Sequence, residues 1–533
     1  MARGVVAVTP APVRAGRGIA SPGPALAGRA TALAIVALML ATLGALLAQA
    51  GSLRLGPADW AAVRFTVAQA AVSAAVSVGL AVPVARALAR RRFPGRAALI
   101  AALGVPFLLP VIVAVLALLA VFGRNGVVNA GLATLGLPPV GIYGAQGVVL
   151  AHVFLNLPLA VRMLLHGWQG IPAERLRLAQ ALGLGPWGLM RHVEWPMLRA
   201  VMPGAALAVF LICLTSFAVA LILGGGPRAT TVELAIFQAV RFDFDLPRAA
   251  VLACLQFALC AVAVLLAARW TIADASGAGL GRPQVLPRPL GWRRIADALV
   301  MAAAAGFLLG PLTVVVARGA PGLADLPPQV WQAAGRSVLL ALAVAALTGV
   351  AVLALGSAAA RPGRAGRAVE LAGMLPMAAS SLVLGTGLFL LLNPFVAPTR
   401  LALPVTALAN TLLALPFALR LVLPAWRAAE ATQGRLADAL GLTGMARLRH
   451  AILPRLRRPL GMALGLAAAL AMGDLGVIAL FATEGAETLP LQVWRLMGAY
   501  RTQAAEAAAL LLVALSLSLF LTFDLWGRRH AQP

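Results

Sequence analysis

Twelve stretches of this chain stay apolar for about 20 residues each, the length an α-helix needs to cross the hydrocarbon core of a bilayer. They lie near 31–50, 64–86, 97–122, 145–166, 200–223, 247–269, 296–317, 336–358, 369–392, 402–423, 460–482 and 504–526. Inside a membrane every backbone polar group must be satisfied within the protein, so segments of this kind fold as helices. The expectation is an all-α polytopic membrane protein with about 12 transmembrane helices. Composition agrees, since 61% of the residues are apolar and 11% charged, against roughly a quarter charged in soluble domains. Disorder is excluded by the same numbers. A disulfide scaffold is excluded because the three cysteines, Cys213, Cys254 and Cys260, all fall within apolar runs. Ala48-Gln49-Ala50 resembles a signal-peptide cleavage site, but the apolar run before it is longer than an h-region and a second span follows closely. The run therefore reads as a span. The window at 97–122 contains Pro106 and Pro110, which spans tolerate when neighbouring helices satisfy the freed backbone groups.

The net charge of +26 comes from 43 arginines and no lysine. Without lysine the chain cannot carry a standard phosphate-binding P-loop, so any ATP that drives it must be bound by another chain. The arginines also set an orientation, because cytoplasmic loops collect positive charge. With the N-terminus inside, only eleven arginines (54, 64, 124, 228, 241, 248, 318, 336, 400, 495 and 501) fall outside or at outer helix ends, and 32 fall inside. Both termini are then cytoplasmic, and a nucleic-acid partner is not needed to explain the charge.

The chain repeats itself. A shift of 258 residues superposes 158–199 on 416–457 with seventeen identities in forty-two positions, among them Trp168/Trp426, Arg177/Arg435, His192/His450 and Pro196/Pro454. Trp60 matches Trp331 at an offset of 271. Six spans precede a linker and six follow it. Because six is even, both halves enter the membrane from the same side and form two parallel six-helix repeats. The expected boundaries are a cytoplasmic N-terminal segment 1–30, a first half 31–269, a cytoplasmic linker 270–295, a second half 296–527 and a tail 528–533. The strongest similarity lies in a cytoplasmic loop of each half, 167–198 and 425–458. Loops drift unless something binds them, which points to a docking surface.

Within each loop, near 173–182 and 431–440, lies a short helix-forming segment. Leu178, Ala181 and Leu182 share a face at helical spacing. Gly183 and Gly441 supply a left-handed residue to end each helix, and Pro196 and Pro454 follow thirteen residues later, before the return to the membrane. Such a helix suits insertion into a partner's groove; the alternative is a helix lying on the bilayer.

Ala179-x3-Gly183 with Pro196, and Ala437-x3-Gly441 with Pro454, resemble the EAA loop of ABC importer permeases. The glutamate and first alanine usual in that motif are replaced by Arg177/Leu178 and Arg435/Leu436. The resemblance implies a type I importer permease fold in a bacterial inner membrane, with the loop as a coupling helix that docks on an ATPase subunit. The coupling residues it implies are Arg177, Ala179, Gly183 and Pro196, and Arg435, Ala437, Gly441 and Pro454. Two such loops in one chain are similar to the fused permeases of thiamine and ferric-iron importers. Gly167-Trp168-Gln169-Gly170-Ile171-Pro172, Val193-Glu194-Trp195-Pro196 and the run from Gly224 to Ile236, with Asp243, Asp245 and Arg248, are similar to the thiamine permeases. So, more loosely, is Ala471-Met472-Gly473-Asp474-Leu475-Gly476. This implies import of thiamine and its phosphates, two copies of an ABC ATPase subunit and a periplasmic substrate-binding protein.

Asp474 is the carboxylate expected well inside a span, and its repeat partner is Ser216. An acid in hydrocarbon is costly and should face a cavity or a partner. Asp474 and Ser216 are therefore candidates for the translocation pathway, with a helix-packing role for Asp474 as the alternative. Glu233, Asp243 and Asp245 are read as outer-loop charges able to dock the binding protein, and Ser380, Ser381 and Asn410 as possible lining. Trp168 and Trp426 are read as interface anchors. The five histidines have no metal-ligand spacing, and no nucleophile–base pair emerges. No catalytic residue, metal site or cofactor is expected. Ferric iron is the alternative cargo, and a proton-coupled secondary carrier using Asp474 is the alternative mechanism, since two parallel six-span halves also describe that class.

Overall fold

The computed structural model describes residues 22–51, 55–91, 93–104, 109–226, 229–269, 291–482 and 485–529. Arg3, Arg14 and Arg17, Arg54, Arg92, Pro106, Arg228, most of the 270–295 linker and residues 530–533 lie outside the described residues. Eleven helices are long and apolar enough to cross a membrane, and a twelfth span consists of two helices bent by 96°. The described residues form helices and connecting turns, without strands.

The first half contains α1 (Pro22–Gln49), α2 (Pro57–Arg90), α3 (Arg96–Leu103), α4 (Val111–Phe122), α5 (Val127–Thr134) and α6 (Ala145–Gln169). After these come α7 (Ala173–Ala181), α8 (Trp195–Leu214), α9 (Ala218–Leu223), α10 (Val232–Arg241) and α11 (Leu246–Arg269). The second half contains α12 (Trp292–Gly319), α13 (Pro328–Ala359), α14 (Arg364–Met374), α15 (Ser381–Leu392) and α16 (Ala402–Ala439). It closes with α17 (Leu453–Met472), α18 (Gly476–Phe481), α19 (Leu489–Gly498) and α20 (Thr502–Arg529).

Four expected spans are interrupted. The 97–122 window resolves into α3 and α4, with Pro110 at the N-cap of α4. Its counterpart at 369–392 is the bent pair, broken between Ala378 and Ser381. The 200–223 and 460–482 windows both break near their far ends, at Thr215-Ser216-Phe217 and at Gly473-Asp474-Leu475. Length and hydropathy alone do not reveal such breaks. They follow from residues with weak helix propensity placed where neighbouring helices can take over the backbone groups.

Small residues set the packing. A Cβ at Gly461 would lie 2.5 Å from the Phe523 carbonyl oxygen, and one at Gly465 would lie 2.9 Å from that of Phe520. The Gly-x3-Gly pair of α17 thus lets its backbone touch α20, an arrangement that membrane helices use because lipid supplies no hydrophobic drive between them. The first span of each repeat packs on both halves. α1 packs on α13, α15 and α11, while α12 packs on α20, α4 and α2. Gly28 of α1 approaches α13 so closely that a Cβ there would meet the Ala354 carbonyl oxygen at 2.3 Å.

Hydroxyls at matching positions hold the two repeats alike. The Val232 amide at the start of α10 donates to Thr66 Oγ1 of α2 at 2.9 Å. The Leu489 amide at the start of α19 donates to Ser337 Oγ of α13 at 2.7 Å. Each satisfies a first-turn amide that has no partner within its own helix.

Candidate functional site

The two repeated loops fold alike at their ends and differently at their beginnings. In each, the predicted glycine closes the helix, with Gly183 at φ +63° and Gly441 at φ +64°. The amide of Leu184 donates to the Ala179 carbonyl at 3.0 Å and that of Gly183 to Gln180 at 3.0 Å. In the second loop Leu442 donates to Ala437 at 2.9 Å and Gly441 to Asp438 at 3.1 Å. This paired pattern is the Schellman closure, and it needs the left-handed residue that glycine supplies without strain. Where each loop starts, sequence decides. Gly170-Ile171-Pro172 separates α6 from α7, whereas Ala428-Ala429-Glu430 continues the helix, so the segment at 431–440 is the end of the 38-residue α16. After each closure a single π-turn, Met190–Glu194 or Leu448–Ile452, leads back to the membrane. Pro196 and Pro454 follow in the first turn of α8 and α17, where the missing N–H and fixed φ are tolerated.

Burial sorts the residues of each loop. Ala179 and Ala437 face inward, 3% and 2% exposed. Arg177, Arg435, Gly183 and Gly441 are exposed, as is Pro196, while Pro454 is half-buried. The outer face carries three large apolar side chains in register. Leu178, Leu182 and Trp187 are exposed by 61%, 67% and 75%, and Leu436, Leu440 and Met445 by 61%, 65% and 68%. Trp187 and Met445 were not singled out from the sequence, although the 258-residue offset aligns them. Matching exposed apolar side chains on capped helices are the kind of patch that marks interaction sites in other proteins. Trp168 and Trp426 do not sit at an interface. They are 2% and 4% exposed, because they plug the junction between each loop and its bundle. Trp426 rests on Gly356, where a Cβ would meet its ring at 2.7 Å.

Different charges anchor the two loops. Glu194, fully buried at the first π-turn, pairs with Arg86 at 2.7 Å and Arg90 at 2.9 Å, both at the end of α2. Arg91 next to them pairs with Asp297 of α12 at 3.2 Å. The second loop has Ile452 at the place of Glu194. It uses Arg447 instead, which bridges Glu430 and Asp438. A cavity of about 450 Å³ opens there between Arg361, Trp426 and Arg447.

At the centre of the bundle, Asp474 and Ser216 both lie in the breaks of their spans and are half-buried. The carboxylate of Asp474 accepts from the Val477 and Ile478 amides, each at 3.4 Å, and so caps α18. The Asn410 side chain lies beside it, its Nδ2 lacking a bond of regular geometry. Ser380 caps α15 through the Val383 amide at 3.1 Å. Glu233 differs from the outer-loop charge expected of it. It is fully buried, because α10 folds into the core against α2, α11 and α15. Asp243 and Asp245 stay exposed beside Arg248, which pairs with Asp243 at 3.2 Å and with Asp59 at 2.9 Å. Around that turn Phe242, Phe244 and, in the second repeat, Tyr500 are exposed. Among the described residues no cluster of His, Cys, Asp and Glu could hold a metal ion.

No family model matches the chain. It is similar over most of its length to curated proteins named thiamine transport system permease protein. The one from Salmonella typhimurium is 41% identical over 492 residues, 89% of this chain and 90% of that protein. The one from Escherichia coli is 40% identical over 484 residues, 87% and 88% of the two chains. A molybdenum transport system permease protein from Azotobacter vinelandii is 33% identical over 184 residues, 34% of this chain and 81% of that one.

Proposed function

The chain belongs to the family of thiamine transport system permeases, and from that premise we propose that it is the membrane path of an ATP-driven importer of thiamine and its phosphates. The observation that carries this reading is the duplicated capped helix with its three apolar side chains in register. Work must enter from another subunit, because the chain has no lysine for a nucleotide-binding loop. Two equivalent surfaces take two copies of an ATPase. Leu178, Leu182 and Trp187, and Leu436, Leu440 and Met445, fill grooves on those subunits, flanked by Arg177 and Arg435. Ala179 and Ala437 let each helix lie close to the bundle, Gly183 and Gly441 set its exit, and Pro196 and Pro454 start the helix that receives the push. As the ATPases close on ATP the two loops move, and the parallel halves alternate their access. On the opposite face a periplasmic binding protein delivers substrate to the turns bearing Asp243, Asp245 and Tyr500. Both termini are then cytoplasmic in the inner membrane.

The test is reconstitution with the ATPase and the thiamine-binding protein in lipid vesicles. Thiamine-loaded binding protein should stimulate ATP hydrolysis and uptake, and a dissipated proton gradient should change neither. Replacing Leu178, Leu182, Leu436 and Leu440 with alanine should weaken ATPase association at least tenfold, since buried anchors dominate such interfaces. Uptake that needs the proton gradient, or stimulation by ferric iron in place of thiamine, would overturn the reading.

A further inference from the structure

Glu233 is a carboxyl without a partner of regular geometry in the middle of the protein. Its side chain is fully buried, and neither carboxylate oxygen has a hydrogen-bond partner of acceptable geometry. No ion pair reaches it among the described residues. The side chains of Ser380 and Gln256 lie beside it. Gln256 is itself fully buried, and its Nε2 is committed to the Leu214 carbonyl at 2.9 Å. Its Oε1 has no donor either. Both carboxyl oxygens of Glu233 and Oε1 of Gln256 are thus buried without a hydrogen bond of regular geometry, with the Ser380 hydroxyl as the donor beside them. Removing a carboxylate from water without a partner costs several kcal/mol, so proteins keep such groups where a counter-charge arrives.

The position tells what arrives. Glu233 and Gln256 belong to α10 and α11 of the first half, and Ser380 caps α15 of the second. The site thus straddles the seam between halves. Ser381, next to Ser380, packs against Gly476 at the start of the helix that Asp474 caps, which ties the seam to the break in the second half. Aromatic faces complete it. Phe237 follows Glu233 by one helical turn and so lies on the same face, and its ring meets that of Phe217 at 5.1 Å with the planes tilted by 59°, beside Ser216 in the matching break of the first half. A carboxylate with aromatic rings and further acceptors suits an organic cation, which gains from both charge and the π-face. It does not suit an anion.

We propose that Glu233, with Gln256, Ser380 and Phe237, forms a transient binding site for the cationic ring of the substrate at the seam between the two halves. In the conformation described here the halves are closed on Glu233, and the cation reaches it when they part. Asp474, already engaged by two amides, does not serve as this charge. The inference rests on the proposed thiamine import and specifies which group of the cargo the permease contacts.

The experiment compares uptake of thiamine with uptake of an uncharged analogue, in which carbon replaces the thiazolium nitrogen, by vesicles holding the complete transporter. Using one binding protein throughout, the ratio of the two rates isolates the permease. Wild type should favour the cation. Glu233→Gln should lower thiamine uptake at least tenfold and bring the ratio near that of the binding protein alone, while loaded binding protein still stimulates ATP hydrolysis. Glu233→Asp should keep the preference. If Glu233→Gln fails to assemble with the ATPase, Ser380→Ala replaces it, with a several-fold fall in the ratio expected. An unchanged ratio in the variant that assembles overturns the proposal. Wild-type vesicles that take up no thiamine would instead overturn the functional reading on which it rests.

Discussion

Asp474 and Glu194 show how differently two acids are accommodated within one membrane protein. Asp474 accepts two amides at the start of a short helix, a task that asparagine performs nearly as well. Asp474→Asn should therefore keep thiamine uptake within about twofold of wild type in vesicles, whereas a pathway role for its charge would appear as a loss of tenfold or more. Glu194 instead neutralises Arg86 and Arg90 at the root of the first loop. Glu194→Ala leaves two arginines facing one another at a largely buried site, and should cost about 3–5 kcal/mol. Thermal unfolding in detergent checks this, with Ile452→Val in the second loop as the mild comparison, at about 0.5–1.5 kcal/mol. At this scale the sequence was legible only in part. Burial cost singled out Asp474, but Glu233 looked like a loop charge because its surroundings in the chain (Arg228, Arg241, Asp243) are polar. The helices that cover it, α2, α11 and α15, come from distant parts of the chain. Trp168 and Trp426 misled for the related reason that an aromatic near a span end reads as an anchor until its neighbours are known.

At the scale of elements, local rules went further. A glycine after a run of helix formers ended both loop helices as expected, because the Schellman closure depends on a few adjacent residues. That Gly170-Ile171-Pro172 would split α6 from α7 while Ala428-Ala429-Glu430 would extend α16 is equally local, and readable from proline and helix propensity. The breaks inside spans were hidden, since hydropathy averages over them. Helix contacts were hidden too, though Gly461 and Gly465 carry the spacing of close-packed membrane helices. Gly461→Leu should destabilise the protein by about 1–3 kcal/mol through forced separation of α17 from α20, read as the fraction remaining monodisperse after heating. Gly310 of α12, where an added Cβ meets nothing within 4 Å, should accept alanine without loss.

At the scale of the molecule, α1 and α12 each bridge the two halves, packing on helices of both. Two fragments, 1–280 and 281–533, expressed together should co-purify and transport thiamine, and either alone should be degraded. Fragments that fold singly and fail to associate would show that these bridging helices are peripheral. The asymmetry of the loops belongs here as well. The first is fixed to α2 by a buried charge cluster, and the second by a network around Arg447 beside an open cavity, so the two loops are rooted in mechanically unequal halves.

Twelve spans, their number per repeat, the duplicated loop and its glycine closures were all written in the linear chain. Each depends on hydropathy, on repetition or on neighbours a few residues away. What the tertiary arrangement alone decided was which acid is stranded at the seam, which helices of the other half each first span touches, and which faces of the loop helices remain open. Those outcomes depend on contacts between residues hundreds of positions apart, where the energy of a group is set by what surrounds it and not by what adjoins it in sequence.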